Sequence, residues 1–363
     1  MIKGLDVRSS RMKKQQKPLK KGGEMISKGS YGCVYSPPLP CSDKPTTNVP
    51  RTGVVSKVFK DPLKADEEWD ESFPLRKIDP KQQYFVYPML KCKTTKSVVK
   101  VNSTNPLTSC PFTTTDQAQA PNTTNGENEM SQLISLNGGQ TLYDYMTKRY
   151  REDGGISFKE FIEIMIKVAT ALTILNEKAG YAHQDIKPNN ILINDKKEVR
   201  LIDFGFMTPN DKLLTLTNPF LGKNYWIHPP EYWVINKRLR NEPITEANLA
   251  EYRLKRLFQL NSVFSDEDHE QISTMYTKFW PSLCEIEKAY ENINTANVDS
   301  LKVDSFSLAI MMVYMIQFVK IQEVQDDKKV EIKQLIKFSS HPNPKQRLTC
   351  HEMKKCLKNI SIL

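Results

Sequence analysis

Long apolar runs are missing from this sequence. The longest, FSLAIMMVYMIQFV over 306–319, falls short of the ~20 residues that span a bilayer. It reads as a buried core helix, and no transmembrane segment is expected. The opening MIKGLDVRSSRMKKQQKPLKKGG holds no apolar stretch of the ~7–15 residues typical of a secretory leader, so the chain reads as intracellular and cytoplasmic. Cysteine is present but poorly placed for chemistry. The seven cysteines include no CxxC pair, and the five histidines fall at no zinc-ligand spacing. A metal knuckle is excluded and a disulfide framework has no support, which leaves reduced, mostly buried thiols as the expectation. No Gly-Lys-Ser/Thr triplet stands at Walker A spacing, so that phosphate loop is excluded as well.

Basic charge is abundant and concentrated. Residues 1–24 hold eight Lys/Arg against Asp6 and Glu24, a local +6 out of a net +10. That composition reads as a solvated, disordered tail over 1–23, with a charge suited to nucleic acid, an acidic partner or an anionic surface. The rest of the 363 residues, at 39% hydrophobic content overall, can bury one large core or two modest ones.

One stretch concentrates chemistry: HQDIKPNNILIN (183–194) sets a histidine, an aspartate, a lysine and two asparagines between apolar runs. Before it, SFKEFIEIMIKVATALTILNEKAG (157–180) opens on a capping box, Ser157 with Glu160, carries apolar residues at helical spacing and stops at Gly180. An amphipathic helix is predicted there. After it, ILI (191–193) and VRLI (199–202) flank the polar turn NDKKE, the pattern of a β-hairpin. A hairpin brings its open ends to about 5 Å, so Asn190 and Asp203 should be neighbours. An amide oxygen and a carboxylate suit Mg²⁺, which takes oxygen ligands and shares them with substrate phosphates. Asp185 belongs on the loop beside them.

HQDIKPNN followed by LIDFG resembles the catalytic loop and metal-binding segment of the eukaryotic-type protein kinase superfamily. The resemblance implies that Asp185 accepts the substrate hydroxyl proton, that Lys187 meets the transferring phosphate, and that Asn190 and Asp203 hold magnesium. MISKGSYGCVY (25–35) is similar to the phosphate-covering loop, with Gly29 and Gly32 in place, Ser27 for the first glycine and Val34 against the adenine. GVVSKVF (53–59) is an alternating strand whose Lys57 takes the position of the lysine that holds the α- and β-phosphates. Lysine in an apolar strand is costly unless paired. Its partner is expected from KADEEWDESF (64–73), with Glu68 preferred over Glu67 and Glu71, and Pro74 ending that helix. SQLISLNGG (131–139) resembles the strand that enters the hinge. It sets Leu133 beside the adenine, with the backbone of Ile134 and Leu136 to hydrogen-bond it.

Downstream, HPPEYW (228–233) resembles the Ala-Pro-Glu segment, Glu231 pairing with Arg347 of NPKQRLT, and KVDSFSLAIMM starts a central helix whose Asp304 braces the catalytic loop. Two departures stand out. Helical sequence fills an insertion over 232–302, and Asn224 falls where Ser/Thr kinases place a threonine. Gln184 replaces the arginine that in many members waits for a phosphorylated loop residue, Thr208, Thr215 or Thr217 in this chain, unless Lys212 or Lys223 serves instead.

The implied fold is α+β and two-lobed: a β-rich small lobe over 24–136 with insertions at 36–53 and 91–129, and a mainly helical lobe over 137–363. The implied function is Mg²⁺-dependent transfer of the ATP γ-phosphate to serine or threonine of protein substrates, Lys187 favouring that acceptor class. A small-molecule phosphotransferase of the same superfamily would share the catalytic set but not Glu231, Asp304 and Arg347. A pseudokinase scaffold would have lost a catalytic position. The insertion pattern and RKIDP (76–80) also look like kinases of large nucleocytoplasmic DNA viruses, which would place the protein in host cytoplasm or virion.

Overall fold

In the computed structural model the described residues are 23–28, 32–44, 52–59, 61–95, 129–215, 217–218, 225–245, 247–248, 251, 302–341 and 343–362. They fall into two compact units, one built from residues up to 65 together with 90–135, the other from 66–89 and everything from 136 onward. The expected tail before Gly23, Gly29, Asn224, Lys223, and most of the 91–129 and 232–302 insertions lie outside the described residues.

The first unit is a five-stranded sheet. β1 (Glu24–Lys28), β2 (Gly32–Ser36), β3 (Val54–Phe59), β4 (Pro88–Thr95) and β5 (Glu129–Leu136) run in the order β1-β2-β3-β5-β4. β1 pairs antiparallel with β2, with a register shift between Met25 and Ser27. β3 alternates as its sequence requires: Val54, Ser56 and Val58 are buried, Val55 and Lys57 half-buried. Cys33, Tyr35, Leu39, Val58 and Met130 form one apolar cluster, and Cys41, Val54, Cys92 and Ile134 another.

The thiol expectation is corrected here. Cys41 and Cys92 form a disulfide across a sequence separation of 51, Cα to Cα 5.8 Å, and Cys33 is also disulfide-bonded. Cys350 and Cys356 are free. The chain between β2 and β3 runs alongside β4, Ser42 N–H donating to Lys93 O at 2.8 Å and Lys93 N–H to Asp43 Oδ1 at 2.8 Å. That pairing brings the sulfurs together, and cysteine spacing along the chain carries no trace of it.

The second unit is mainly helical. α1 (Pro62–Glu71) runs into it, and α2 (Phe73–Ile78) follows after Ser72. Pro74 stands in the first turn of α2, where its missing N–H costs nothing. The helix therefore breaks before Pro74, as expected, and a second one starts there. Residues 66–89, expected in the small lobe, group with this unit for a visible reason. The Asp79 carboxylate accepts the N–H groups of Gln83, Tyr84 and Phe85 at 2.9, 2.7 and 3.0 Å. The turn so formed docks Phe85 on Leu201, with Val86 N–H to Leu201 O and Leu201 N–H to Tyr84 O both 2.9 Å.

The central helices are α3 (Leu142–Asp153) and α4 (Phe158–Thr173), the latter followed by a π-helical turn Ile174–Ala179 that stops at Gly180, φ 75°. Ser157 caps α4 by accepting the Glu160 N–H at 3.2 Å. Glu160 itself turns its carboxylate to Tyr145 and Lys197. β6 (Gln140–Thr141), β8 (Ile191–Ile193) and β9 (Val199–Leu201) form a three-stranded sheet, and β7 (Tyr181–Ala182) pairs with β10 (Thr208–Pro209). α5 (Glu231–Leu239), α6 (Val303–Met315), α7 (Asp326–Ser339) and α8 (Cys350–Ile362) complete the unit. Every residue of α6 from Val303 to Met312 is buried, as the apolar run predicts. α4, α6, α7 and α8 share one core with Leu75, Phe85 and Tyr87, in which each fully buried Leu, Ile or Phe contributes about 1.5–3 kcal/mol. Among the described residues no helix is long and apolar enough to cross a membrane.

The Cys41–Cys92 bridge gives a direct check. Peptide mapping of an unreduced digest should recover the two cysteines in one linked species, and the Cys41→Ser/Cys92→Ser variant should lose about 2–4 kcal/mol of stability. Both thiols appearing free would contradict the bridge.

Candidate active site

The loop after β7 is shaped by one buried carboxylate. Asp304, in the first turn of α6 and fully buried, accepts the His183 N–H at 2.8 Å, the Gln184 N–H at 3.0 Å and the Asn176 side-chain amide at 2.7 Å. Three donors offset the cost of taking a charge out of water. They also hold Gln184 at φ 62°, a left-handed conformation that costs a non-glycine residue about 1–3 kcal/mol unless its surroundings enforce it. His183 Nδ1 accepts the Asp185 N–H at 3.3 Å, which leaves Nε2–H to donate to Ile202 O at 3.1 Å.

This bend presents Asp185. Its Oδ2 takes Lys187 Nζ at 2.8 Å and the Asn190 amide at 2.7 Å, and its Oδ1 takes the Tyr225 hydroxyl at 2.9 Å. Asn190 Nδ2 also donates to Asp185 O at 3.0 Å, so its amide nitrogen is committed inward and its oxygen is the atom left for another partner. The hairpin β8–β9 pairs Ile191 with Leu201, and Ile202 N–H donates to Asn190 O at 3.0 Å. Asn190 is thereby tied to the residue before Asp203. Asp203 is exposed and held at φ 64°. An amide oxygen and an exposed carboxylate fit a hard cation such as Mg²⁺ in donor chemistry.

Gln184 is a fully buried hub without formal charge. Its Nε2 donates to Phe206 O at 2.5 Å and Thr208 Oγ1 at 2.6 Å. Its Oε1 accepts from Tyr232 OH at 2.6 Å and Asn218 Nδ2 at 3.0 Å, and His228 Nε2 donates to its backbone oxygen at 3.0 Å. Deep burial, with Asp304 and Glu231 adding to it, pushes the Tyr232 phenol well above its ordinary value, so the proton it donates stays on. Thr208 is buried, Thr215 half-buried and Thr217 exposed, and Thr215 Oγ1 bonds Lys212 O at 2.8 Å. Nearby, Glu231 and Arg347 form a fork-to-fork ion pair at 2.5 and 3.0 Å with both side chains fully buried.

The other sequence-assigned residues in the described part of the chain lie on β1, β2, β3, β5 and α1. Gly32 faces Phe59 and Val34 faces Lys57 across β2–β3. A Cβ on Gly32 would come within 2.5 Å of Val58 O, so that position requires glycine for close approach. Ser27 is exposed on β1, and Lys57 Nζ lies 4.9 Å over the Phe59 ring. Leu133 and Ile134 are fully buried on β5, and Leu136 at its end is half-buried. Glu68 is half-buried on α1, as is Glu71, whereas Glu67 is exposed. Glu68 belongs to the stretch grouped with the second unit.

Sequence reasoning missed Tyr225. Asn224, the preceding residue, is the one the resemblance marks, but Tyr225 carries the hydroxyl that reaches Asp185. The aromatic density of NYWIHPPEYW beside Glu231 was the available signal, since Tyr225, Trp226, His228 and Tyr232 pack on one another there.

A protein kinase domain model matches residues 124–357, more than half of the chain. The chain belongs to the protein kinase domain family. The α+β expectation holds: a β-sheet region comes first and a helical region follows. Ser27, Gly29, Gly32, Val34, Lys57 and Glu68 lie before the matched range. Among curated proteins, a probable serine/threonine-protein kinase of Clostridium acetobutylicum is 33% identical over 94 residues, 26% of this chain and 14% of that protein. Serine/threonine-protein kinase PrkC of Bacillus subtilis is 32% identical over 94 residues, 26% of this chain and 14% of that one. The liver/testis phosphorylase b kinase gamma catalytic chain of Bos taurus is 37% identical over 78 residues, 21% and 18% of the two chains. The chain thus spans less than a fifth of the length of these relatives.

In this kinase domain the Glu231–Arg347 pair yields a stability prediction. Arg347→Met strands a buried carboxylate and should cost about 3–5 kcal/mol. Glu231→Gln combined with Arg347→Met should cost less than the two single losses together, as read by chemical denaturation. Additive losses would show that the pair does not act as a unit.

Proposed function

We propose that the protein is a serine/threonine protein kinase that transfers the ATP γ-phosphate to a serine or threonine hydroxyl of protein substrates, with Mg²⁺. The observation that carries this reading is Asp185. It is a carboxylate held by Lys187, Asn190 and Tyr225 on a loop braced by Asp304, in a chain whose relatives include serine/threonine kinases.

In this reading Asp185 accepts the acceptor hydroxyl's proton and Lys187 offsets charge on the transferring phosphoryl group. Catalysis is then positioning and electrostatic stabilisation, since phosphoryl transfer asks little covalent chemistry of the protein. Asn190, through its amide oxygen, and Asp203 would hold magnesium, which when bound neutralises phosphate charge. Ser27, Gly29 and Gly32 would cover the nucleotide, Val34, Leu133, Ile134 and Leu136 would border the adenine, and Lys57 would hold the phosphates, with Glu68 the glutamate assigned to it. A kinase that has shed activity is disfavoured because Lys57, Asp185, Asn190 and Asp203 are all retained.

The same reading has activity independent of activation-loop phosphorylation. Gln184 ties Phe206, Thr208 and Asn218 with neutral hydrogen bonds, so the segment needs no phosphate to be held. A glutamine offers a dianion only ordinary hydrogen bonds, not the charge-assisted fork of arginine.

Two measurements test this. Asp185→Asn should lower phosphorylation of a mixed Ser/Thr peptide library by at least about 10²-fold with little change in melting temperature; undiminished turnover would defeat the assignment. Phosphatase-treated enzyme, and a Thr215→Ala/Thr217→Ala variant, should keep turnover within a few-fold of untreated enzyme. Activity lost on dephosphorylation and regained with phosphate would give Gln184 a different meaning.

A further inference from the structure

The Tyr225 hydroxyl sits in a closed triangle. It donates to Asp185 Oδ1 at 2.9 Å and accepts from Lys187 Nζ at 3.2 Å, and Lys187 Nζ in turn reaches Asp185 Oδ2 at 2.8 Å. The ring is half-buried and fixed by edge contacts with Phe206, Trp226 and His228, centroids 6.3, 6.4 and 5.2 Å away. Burial, with the Asp185 charge adding to it, holds the phenol proton well above its ordinary range. The hydroxyl is therefore a donor to the carboxylate across the working pH range.

A carboxylate offers about four acceptor positions, two on each oxygen. On Asp185, Oδ2 already receives two donors, Lys187 and Asn190, and Oδ1 receives one, Tyr225. We propose that Tyr225 is a positioning residue of the phosphotransfer site, whose hydroxyl fixes Asp185 so that Oδ1 is the oxygen that takes the acceptor's proton, while steadying Lys187 beside it.

This rests on the kinase reading and goes past it by naming the atom and the residue that aims it. In the step itself the acceptor oxygen bonds the γ-phosphorus, the bond from that phosphorus to the ADP oxygen breaks, and the acceptor proton passes to Oδ1. Tyr225 exchanges nothing. Its contribution is to keep Asp185 from rotating its free acceptor position away, and Tyr225→Phe removes that bond while keeping the ring and its packing.

The experiment uses the full chain and the Ser/Thr peptide that the wild-type enzyme phosphorylates best. Tyr225→Phe should lower kcat about 10- to 100-fold, the size expected for losing one hydrogen bond to a charged group. KM for ATP should stay within about twofold, since the hydroxyl touches Asp185 and Lys187 alone among the assigned groups. A double-mutant cycle with Lys187→Met supplies the second readout: the combined loss should be smaller than the product of the single losses, because both changes loosen the same carboxylate. Active wild type with Tyr225→Phe turnover within about twofold of it would overturn this inference and leave the kinase reading intact. Losses that multiply fully, or that follow a lowered melting temperature and not a lowered kcat, would overturn it in the same way. A wild-type enzyme that phosphorylates no peptide would overturn both.

Discussion

A carboxylate buried at the start of a helix, Asp304, sets the geometry on which the rest of the site depends. Taken from water without donors it would be a serious liability, yet three N–H groups converge on it. In satisfying Asp304 they pull His183 and Gln184 into a bend that an L-residue does not adopt freely. The bend then does two things at once. It turns the Gln184 side chain into the core, where it gathers the segment after β9, and it turns Asp185 the other way toward Lys187, Asn190 and Tyr225. Geometry and strain are thus maintained by the same hydrogen bonds.

Charge is distributed unevenly across this region, and the pattern has physical sense. Where the structure needs permanence it uses a dry, bidentate ion pair, Glu231 with Arg347, which also ties Lys302 O and His341 O through the guanidinium at 3.1 and 3.0 Å. Around Gln184 it uses neutral groups, the side chain bonding Phe206 O, Thr208, Asn218 and Tyr232. At the loop it keeps an anion and a cation in contact but partly open, Lys187 being half-buried beside a nearly buried Asp185. Burying a lone charge is expensive and neutral networks are cheap, so the choice at each place follows from its task.

Much of this was legible in the sequence because the signals were local. The α4 cap, the β8–β9 hairpin and the run of residues from His183 to Asn190 are each written within a dozen positions, and helical or two-residue periodicity exposes them. Ser157 shows the limit: it caps the helix as read, but Glu160 leaves the reciprocal bond for Tyr145 and Lys197, partners that no local rule could supply. The Cys41–Cys92 bridge was illegible for the same reason, because the connection after β2 meets β4 across 51 positions of sequence. The grouping of residues 66–89 with the later part of the chain leaves no local signal either, because the Asp79 turn looks like any polar loop and the bridge from Phe85 to Leu201 spans distant sequence. Tyr225 was passed over because an aromatic residue in an aromatic cluster reads as packing.

The contacts that make the loop competent have a consequence for when it can form. Asp304 reaches back 121 positions to His183, and Arg347 reaches back 116 to Glu231. Non-local pairings of this kind require loop-closure entropy to be spent before they return anything. On a ribosome, α4 and the β8–β9 hairpin emerge first and can assemble from nearby sequence, but the bend at Gln184 has nothing to hold it until α6 has been made. The ion pair waits longer still. A nascent chain therefore carries His183, Asp185, Lys187 and Asn190 well before it carries the contacts that arrange them, and the loop takes its shape late in synthesis.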